Sequence, residues 1–473
     1  MMPKTKIVAT ISDQHADVDF ISALYDEGMS VIRLNTAHQL PEQTKVIIEN
    51  ARQVSERIAM LLDTKGPELR TTASPNELSV SKGATLYVEG DPEKASEGDR
   101  LYVNHKHLAE DVPEGSEMLI DDGDISLTVQ EKSENVLVCR VNNTGVIKPR
   151  KSINVPKVRL NLPCITEKDH RYILFAIEQE LDFIAHSFVR SKEDVLAVQH
   201  ILDEHKSDIK IIAKIENQDG VDNIDEILDY AYGIMVARGD LGIEIPYEKI
   251  PGIQKCLVNK CIERRRPVII ATQMLHSMIE NPRPTRAEVT DIASAIYGQA
   301  DAVMLSGETA FGKYPVESVR TMARVAQEVE NSKEPFYDTP PFVINNKVTA
   351  YLCKSAVKAS IRLDAQAVIA DTTSGRTIRS LSAYRGKTFI YAQCYSKRTM
   401  RELQLSYGVC TDYMKPRETS HEFLKFAITN LKKYHHFCDN DLLVVIAGNF
   451  GRSAGATYIE IGSLENLLGG SNV

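Results

Sequence analysis

Eight short runs of apolar, largely β-branched residues recur along the chain, and most are followed by a longer stretch with helical periodicity. They are Lys6 to Ile11, Val31 to Leu34, Ile58 to Asp63, Phe183 to His186, Lys210 to Ile215, Gly233 to Ala237, Pro267 to Ala271 and Ala302 to Leu305. This alternation marks βα units and a parallel sheet. Runs such as IVATI, KIIAKI and PVIIAT carry no polar alternation, as expected of strands covered on both faces. Eight such units predict an α/β fold, a (β/α)8 TIM barrel formed by residues 1–66 and 162–331.

Between the third and fourth runs the pattern changes to short strands punctuated by turn residues: Ser81-Lys82-Gly83, Glu97-Gly98-Asp99, Asp121 to Asp124 and Asn142 to Gly145. An inserted all-β domain is expected over residues 67–161. It leaves the barrel at the C-terminal end of a strand, where such folds keep their sites, so it is expected to act as a lid rather than a passive insertion. The polar, Pro-containing stretch Ser332 to Pro341 reads as a linker. Beyond it a C-terminal α/β domain, residues 342–473, is expected, with candidate strands Ala367 to Ala370, Thr388 to Tyr391 and Leu442 to Ala447 in a small doubly wound sheet.

Composition narrows the class. With 43% hydrophobic residues, 26% charged residues and a formal net charge of -9, nothing suggests a nucleic-acid polymer as partner. Arg264-Arg265-Arg266 reads as a solvated helix end. The eight cysteines form no CxxC pair, the start MMPKTKIVAT lacks a signal-peptide apolar core, and no run approaches the ~20 apolar residues of a membrane span. A cytoplasmic location with reduced thiols is expected, and no membrane partner.

A polar residue just past the C-terminal end of a barrel strand reads as functional. Here those positions hold Arg33 and Asn35, Asp63 and Lys65, Ser187 and Arg190, Lys214 and Glu216, Arg238 and Asp240, Thr272 and Gln273, and Ser306 and Glu308. Strand alternation puts Lys214 and Glu216 on one side of the chain, both able to face the barrel mouth. Glu216 with Asp240 could hold a hard divalent cation such as Mg2+, which takes few carboxylates and keeps water or substrate oxygens. The same pair alone could equally belong to a salt-bridge network. The flanking Gly239 and Gly242 favour the site, because glycine lets backbone approach a ligand closely.

Seven motifs, VIRLN, LLDTKGPELR, IAKIEN, MVARGDLGIEIP, ATQMLHSM, PRPTRAEVTDIA and MLSGETAFGKYP, lie at these strand ends or on the helices after them. Together they resemble the motifs of the pyruvate kinase family, in that family's order and over the whole chain. The resemblance implies transfer of a phosphoryl group from phosphoenolpyruvate to ADP, giving pyruvate and ATP. It implies Glu216 and Asp240 as ligands of Mg2+ (or Mn2+), and Lys214 and Arg33 as the cations that stabilise transition-state charge. Substrate would also meet Gly239, Asp240 and Thr272. Thr272 would lie at the face where the enolate is protonated, working with Ser306 and Glu308 through water, or else it merely satisfies a strand-end amide. Arg70, Asp122 and Lys151 match positions that reach the nucleotide, although Ser12 to His15 replaces the family's usual Gly-Pro.

For K+, the resemblance implies Asn35, Asp63 and the Thr64 carbonyl. Ala37 stands where a serine hydroxyl is usual, which should weaken binding, while Glu68 is the residue type of K+-requiring members. Thr372, Thr373, Ser374, Gly375, Arg376 and Thr377 resemble a sugar-phosphate effector loop, or else form an ordinary helix cap; the later segment Gly448 to Ile461 departs from the family pattern. A homotetramer is implied. Two other readings stay open: a metal-dependent aldol lyase, which would not need the β insertion, and a catalytically silent metabolite-binding protein, against which the intact Lys214, Arg33, Glu216 and Asp240 argue.

Overall fold

The structure is a computed structural model that describes residues 2–332, 346–417, 419–448 and 455–469. Its centre is a closed barrel of eight parallel strands: Lys6–Thr10, Met29–Asn35, Ala59–Asp63, Phe183–His186, Lys210–Ile215, Gly233–Ala237, Val268–Ala271 and Ala302–Leu305. The eighth pairs back onto the first, Lys6 opposite Ala302. The expected strands and the observed ones coincide to within a few residues, because a strand covered on both faces has a nearly continuous apolar run to announce it.

Alternation along each strand sorts the barrel into two cores. Val8, Val31, Leu61, Phe183, Ala185, Ile212, Met235 and Met304 fill the lumen, while Ile7, Ile32, Leu62, Ile184, Ile211, Val236 and Ile270 face the surrounding helices. Counting two residues on from a lumen position gives another lumen position. From Val31 that reaches Arg33 and Asn35, from Leu61 Asp63, from Ala185 Ser187, and from Ile212 Lys214 and Glu216. The charged residues therefore crown the packed lumen at its C-terminal end.

Between the third and fourth barrel strands the chain builds a seven-stranded sheet and a two-stranded one around a core of their own, including Leu86, Val88, Leu101, Leu127 and Val141. Both ends of this excursion are tied to one side chain. Asp169 accepts the Lys65 and Gly66 amides where the chain leaves, and the Thr166 amide and hydroxyl just after it returns. The latter contacts belong to a capping box that starts helix Glu167–Glu178. Gly66 has φ +71°, and a Cβ there would come within 2.7 Å of Ser187 Cβ, so the exit turn requires glycine.

The C-terminal sheet has five strands, in the order Val409–Tyr413, Ile390–Cys394, Ala367–Thr372, Leu442–Gly448, Ala456–Ser463, the last antiparallel. Two of these were not expected, and the second candidate is shifted from Thr388–Tyr391 to Ile390–Cys394. The expected linker beyond Ser332, the start of the domain at 342, and residues 449–454 of the segment Gly448 to Ile461 lie outside the described residues. This sheet's loops dock on the N-terminal end of the barrel. Buried Arg385 grips Asp301 through both carboxylate oxygens at 2.8 Å, Arg401 bonds Asp182 at 2.7 Å, and Leu405 closes the lumen floor.

Arg264-Arg265-Arg266 is not simply a solvated helix end. Arg264 pairs with Asp225, Arg265 takes φ +56° to cap helix Ile250–Arg264 and bonds Ser380 Oγ at 3.2 Å, and Arg266 is half-buried. The reason is the docked C-terminal domain, which covers what would otherwise be the exposed base of the barrel.

Candidate active site

At the barrel mouth the Lys214 ammonium sits 3.0 Å from Glu216, 3.1 Å from Asp63 and 2.8 Å from the Ser187 hydroxyl. Burial alone would lower its pKa, but Asp63 and Glu216 outweigh burial and the net shift is upward, so Lys214 is a fixed cation. Asp63 takes Arg33 Nε on its other oxygen at 2.6 Å, and Arg33 also donates to Thr10 Oγ1 at 3.1 Å. Burial opposes ionisation of Asp63, yet the two cations hold its pKa below the ordinary value.

Glu216 and Asp240 behave differently. Glu216 is 1% exposed; one oxygen meets Lys214 and the other accepts the Phe188 amide at 2.7 Å. Burial raises both pKa values, and each carboxylate's neighbours, Asp240 for one and Glu68 and Asp122 for the other, raise them further against the pull of Lys214. A buried and a half-buried carboxylate whose ionisation is opposed by burial and by neighbouring negative charge suit a hard cation, which would neutralise them. Among the described residues no cluster of three or more His, Cys, Asp or Glu side chains forms a metal cage.

Thr272 and Gln273 follow the seventh strand with φ +69° and +56°, unusual for any residue and costly for a β-branched one. The Thr272 hydroxyl donates to Ala271 O at 2.7 Å and accepts the Gly239 amide at 2.9 Å. Glu308, expected to work with Thr272 through water, has its two carboxylate oxygens on the Leu275 and Ser306 amides, at 3.0 and 2.8 Å. That arrangement makes it a bracket between the loops after the seventh and eighth strands. Among the described residues, Ser306 Oγ finds no hydrogen-bond partner and is buried.

Arg70, Asp122 and Lys151 gather at one corner of the inserted sheet. Arg70 lies opposite Ser152 in register, Asp122 takes the Ser152 hydroxyl at 3.3 Å, and Lys151 pairs with Asp121 at 2.8 Å. The Arg70 pKa is raised chiefly by its bond to Glu68, with Asp122 and Asp240 adding to it, so this corner hangs over the mouth carboxylates. A cavity of about 440 Å³ lies between insert and barrel, with Glu68, Asn154, Lys157, Glu216 and Asp240 in its walls.

Of the expected K+ ligands, Asn35 Oδ1 accepts the Ala37 amide and the Thr64 carbonyl accepts Ser187 Oγ at 2.6 Å. The Thr372–Thr377 loop lies far away, at the base of the barrel. Its turn is closed by Gly375 N donating to Thr372 Oγ1 at 2.8 Å, with Gly375 at φ +75° ahead of helix Arg376–Ala383. Thr373, Ser374, Arg376 and Thr377 face Arg264, Arg265 and Arg266 across a cavity of about 990 Å³. Sequence reasoning marked Ser187 and Arg238 as functional strand-end residues without giving either a specific task, and it did not single out Asp169. The first two do stand at strand ends; Asp169 is marked only by the capping box with Thr166.

The family model described as pyruvate kinase, barrel domain, matches residues 2–319, and that described as pyruvate kinase, alpha/beta domain, matches residues 351–461. A pyruvate kinase of Borreliella burgdorferi is 44% identical over 99% of both chains. One of Bacillus licheniformis is 43% identical over 97% of this chain and 80% of its own. The crystal structure of a pyruvate kinase from Cryptosporidium parvum superposes with a TM-score of 0.91 at 35% identity, covering 98% of this chain and 96% of that one.

Proposed function

The chain belongs to the pyruvate kinase family and transfers the phosphoryl group of phosphoenolpyruvate to ADP, and on that premise we propose how its residues divide the work. The observation that carries the reading is the buried Lys214, clasped by Asp63, Glu216 and Ser187 at the mouth of the barrel. Phosphoryl transfer proceeds through a loose transition state while an enolate develops, so catalysis is mostly positioning and charge stabilisation. Lys214 and Arg33 supply fixed positive charge, oriented before substrate arrives by their shared hold on Asp63.

The family works with a divalent cation and K+. Glu216 and Asp240 would hold Mg2+ or Mn2+, which when bound neutralises phosphate and enolate oxygens. Gly239 and Thr272 would meet the substrate beside them, Thr272 at the face where the enolate is protonated, with Ser306 close by. Glu308 supports that reading as the bracket of the two loops. Arg70, Asp122 and Lys151 would reach the nucleotide under the lid, which excludes water. A sugar phosphate bound between the Thr372–Thr377 loop and the arginines opposite it would act as effector, and a homotetramer in the cytoplasm is the assembly and location this reading carries.

The test is a coupled assay of pyruvate formation from phosphoenolpyruvate and ADP while Mg2+ is titrated. Glu216→Gln and Asp240→Asn should each raise the Mg2+ needed for half-maximal rate at least about tenfold, the scale of one lost charged ligand. Unchanged divalent dependence in both would overturn the metal assignment.

A further inference from the structure

The turn after the seventh barrel strand holds two successive residues in the left-handed region, and one of them, Thr272, is β-branched. Such backbone is strained and persists only where its surroundings over-determine it. Here one side chain does most of the holding. Arg238 Nε donates to Ala271 O at 3.3 Å, while Nη2 donates to Thr272 O at 2.7 Å and to Met274 Sδ at 2.9 Å. Its third nitrogen, Nη1, is anchored on Asp291 of helix Arg286–Tyr297 at 2.7 Å. The Arg238 side chain is only 12% exposed.

A guanidinium has donors in a rigid plane, so a single Arg238 fixes the carbonyls of residues 271 and 272 relative to one another. The hydroxyl of Thr272 is then aimed back at Ala271 O and Gly239 N, inside the mouth. We propose that Arg238 is a positioning residue for the proton-transfer half of the reaction, holding the strained turn so that the Thr272 hydroxyl meets the enolate face. In that half, a C3–H bond forms as the enolate electron pair closes the C2 carbonyl, and the proton comes from solvent by way of the hydroxyl. Phosphoryl transfer relies on Lys214, Arg33 and the metal carboxylates, and this turn touches it only through the contact of Thr272 with bound substrate. The proposal rests on the reading of Thr272 given above.

The two halves are separable by experiment. Exchange of pyruvate methyl hydrogens with D2O, followed by NMR with ATP and Mg2+ present, reports proton transfer; ATP formation from phosphoenolpyruvate and ADP reports phosphoryl transfer. Lysine cannot span these acceptors, so Arg238→Lys should slow exchange at least about tenfold while ATP formation falls less than about threefold, as misplacement of one reacting group does. Asp291→Asn keeps the guanidinium but loosens its anchor, and should show the same bias more weakly; it serves if Arg238→Lys fails to fold. Exchange and ATP formation falling in parallel in both variants, or neither falling, would overturn the proposal. Thr272→Ala is run beside them. If it lowers exchange but the Arg238 and Asp291 variants do not, the positioning role fails alone; if it leaves exchange unchanged, the reading of Thr272 fails and the proposal with it.

Discussion

Asp63 and Glu68 show how individual residues redistribute charge in ways sequence does not reveal. Without a nearby cation, these two carboxylates would stand as uncompensated neighbours. In the structure Asp63 is held by Arg33 and Lys214, and Glu68 by Arg70 at 2.7 Å and Lys65 at 3.8 Å. The proposed K+ site therefore rests only on the resemblance that assigns it Asn35, Asp63 and the Thr64 carbonyl, and Ala37 lacks a hydroxyl to add. K+ should activate with weak affinity, and Ala37→Ser should tighten it; initial rates against K+ at constant ionic strength decide, and full activity without K+ would refute the site. His186 makes a second point. It is buried outside the lumen, neither ring nitrogen has a hydrogen-bond partner among the described residues, and burial pushes its pKa down from 6.5 to about 4. A base whose folded pKa is depressed gives stability that is present above 6.5 and lost as pH falls through 6.5 toward 4. His186→Leu should remove about 2–3 kcal/mol of that acid destabilisation, read as a flatter fall of Tm between pH 6.5 and 4. An unchanged profile would show that His186 does not titrate with unfolding. Lys214 and Glu216 were legible because period-2 alternation fixes the side they face, whereas the left-handed turn at Thr272 was not, since neither Thr nor Gln advertises positive φ.

Elements were legible in proportion to how deeply they are buried. The barrel strands announced themselves; the strands Val409–Tyr413 and Ala456–Ser463 did not, because VCTDY is short and half polar and ATYIEIGS is an edge strand with exposed residues. The Thr372–Thr377 loop was legible as a strand-to-helix turn, but its facing wall was not, since Arg264, Arg265 and Arg266 come from a helix more than a hundred residues away. That wall gives the effector proposal its content. A doubly charged phosphate placed there gains from arginines on both sides. A sugar phosphate should lower the apparent KM for phosphoenolpyruvate, a coupling of about 1–3 kcal/mol, and Arg376→Ala should weaken it. Saturation curves that superimpose across a panel of phosphorylated sugars would leave the loop as a helix cap.

At the scale of the whole molecule, three bodies meet at the two ends of one barrel. The insert overhangs the C-terminal end of the strands, where Lys214 and the carboxylates stand, and the C-terminal domain clasps the other end through Asp182 and Asp301. Both aspartates come just before barrel strands that are followed directly by Ser187 and Ser306, so each clasp sits on a strand that leads to the site. These long-range pairs were not legible in sequence, because nothing local distinguishes an aspartate that will meet an arginine 84 positions away in the chain from one on the surface. The barrel itself was, because eight buried strands have few other ways to close. The account's central claim is that the site works by fixed charge centred on Lys214, and its most direct test is the turnover of Lys214→Met in the coupled pyruvate assay. Because the ammonium acts mainly on charge that develops in the transition state, turnover should fall by about three orders of magnitude or more. The Tm should move by only a few degrees. Near-normal turnover in a folded Lys214→Met enzyme would contradict the account.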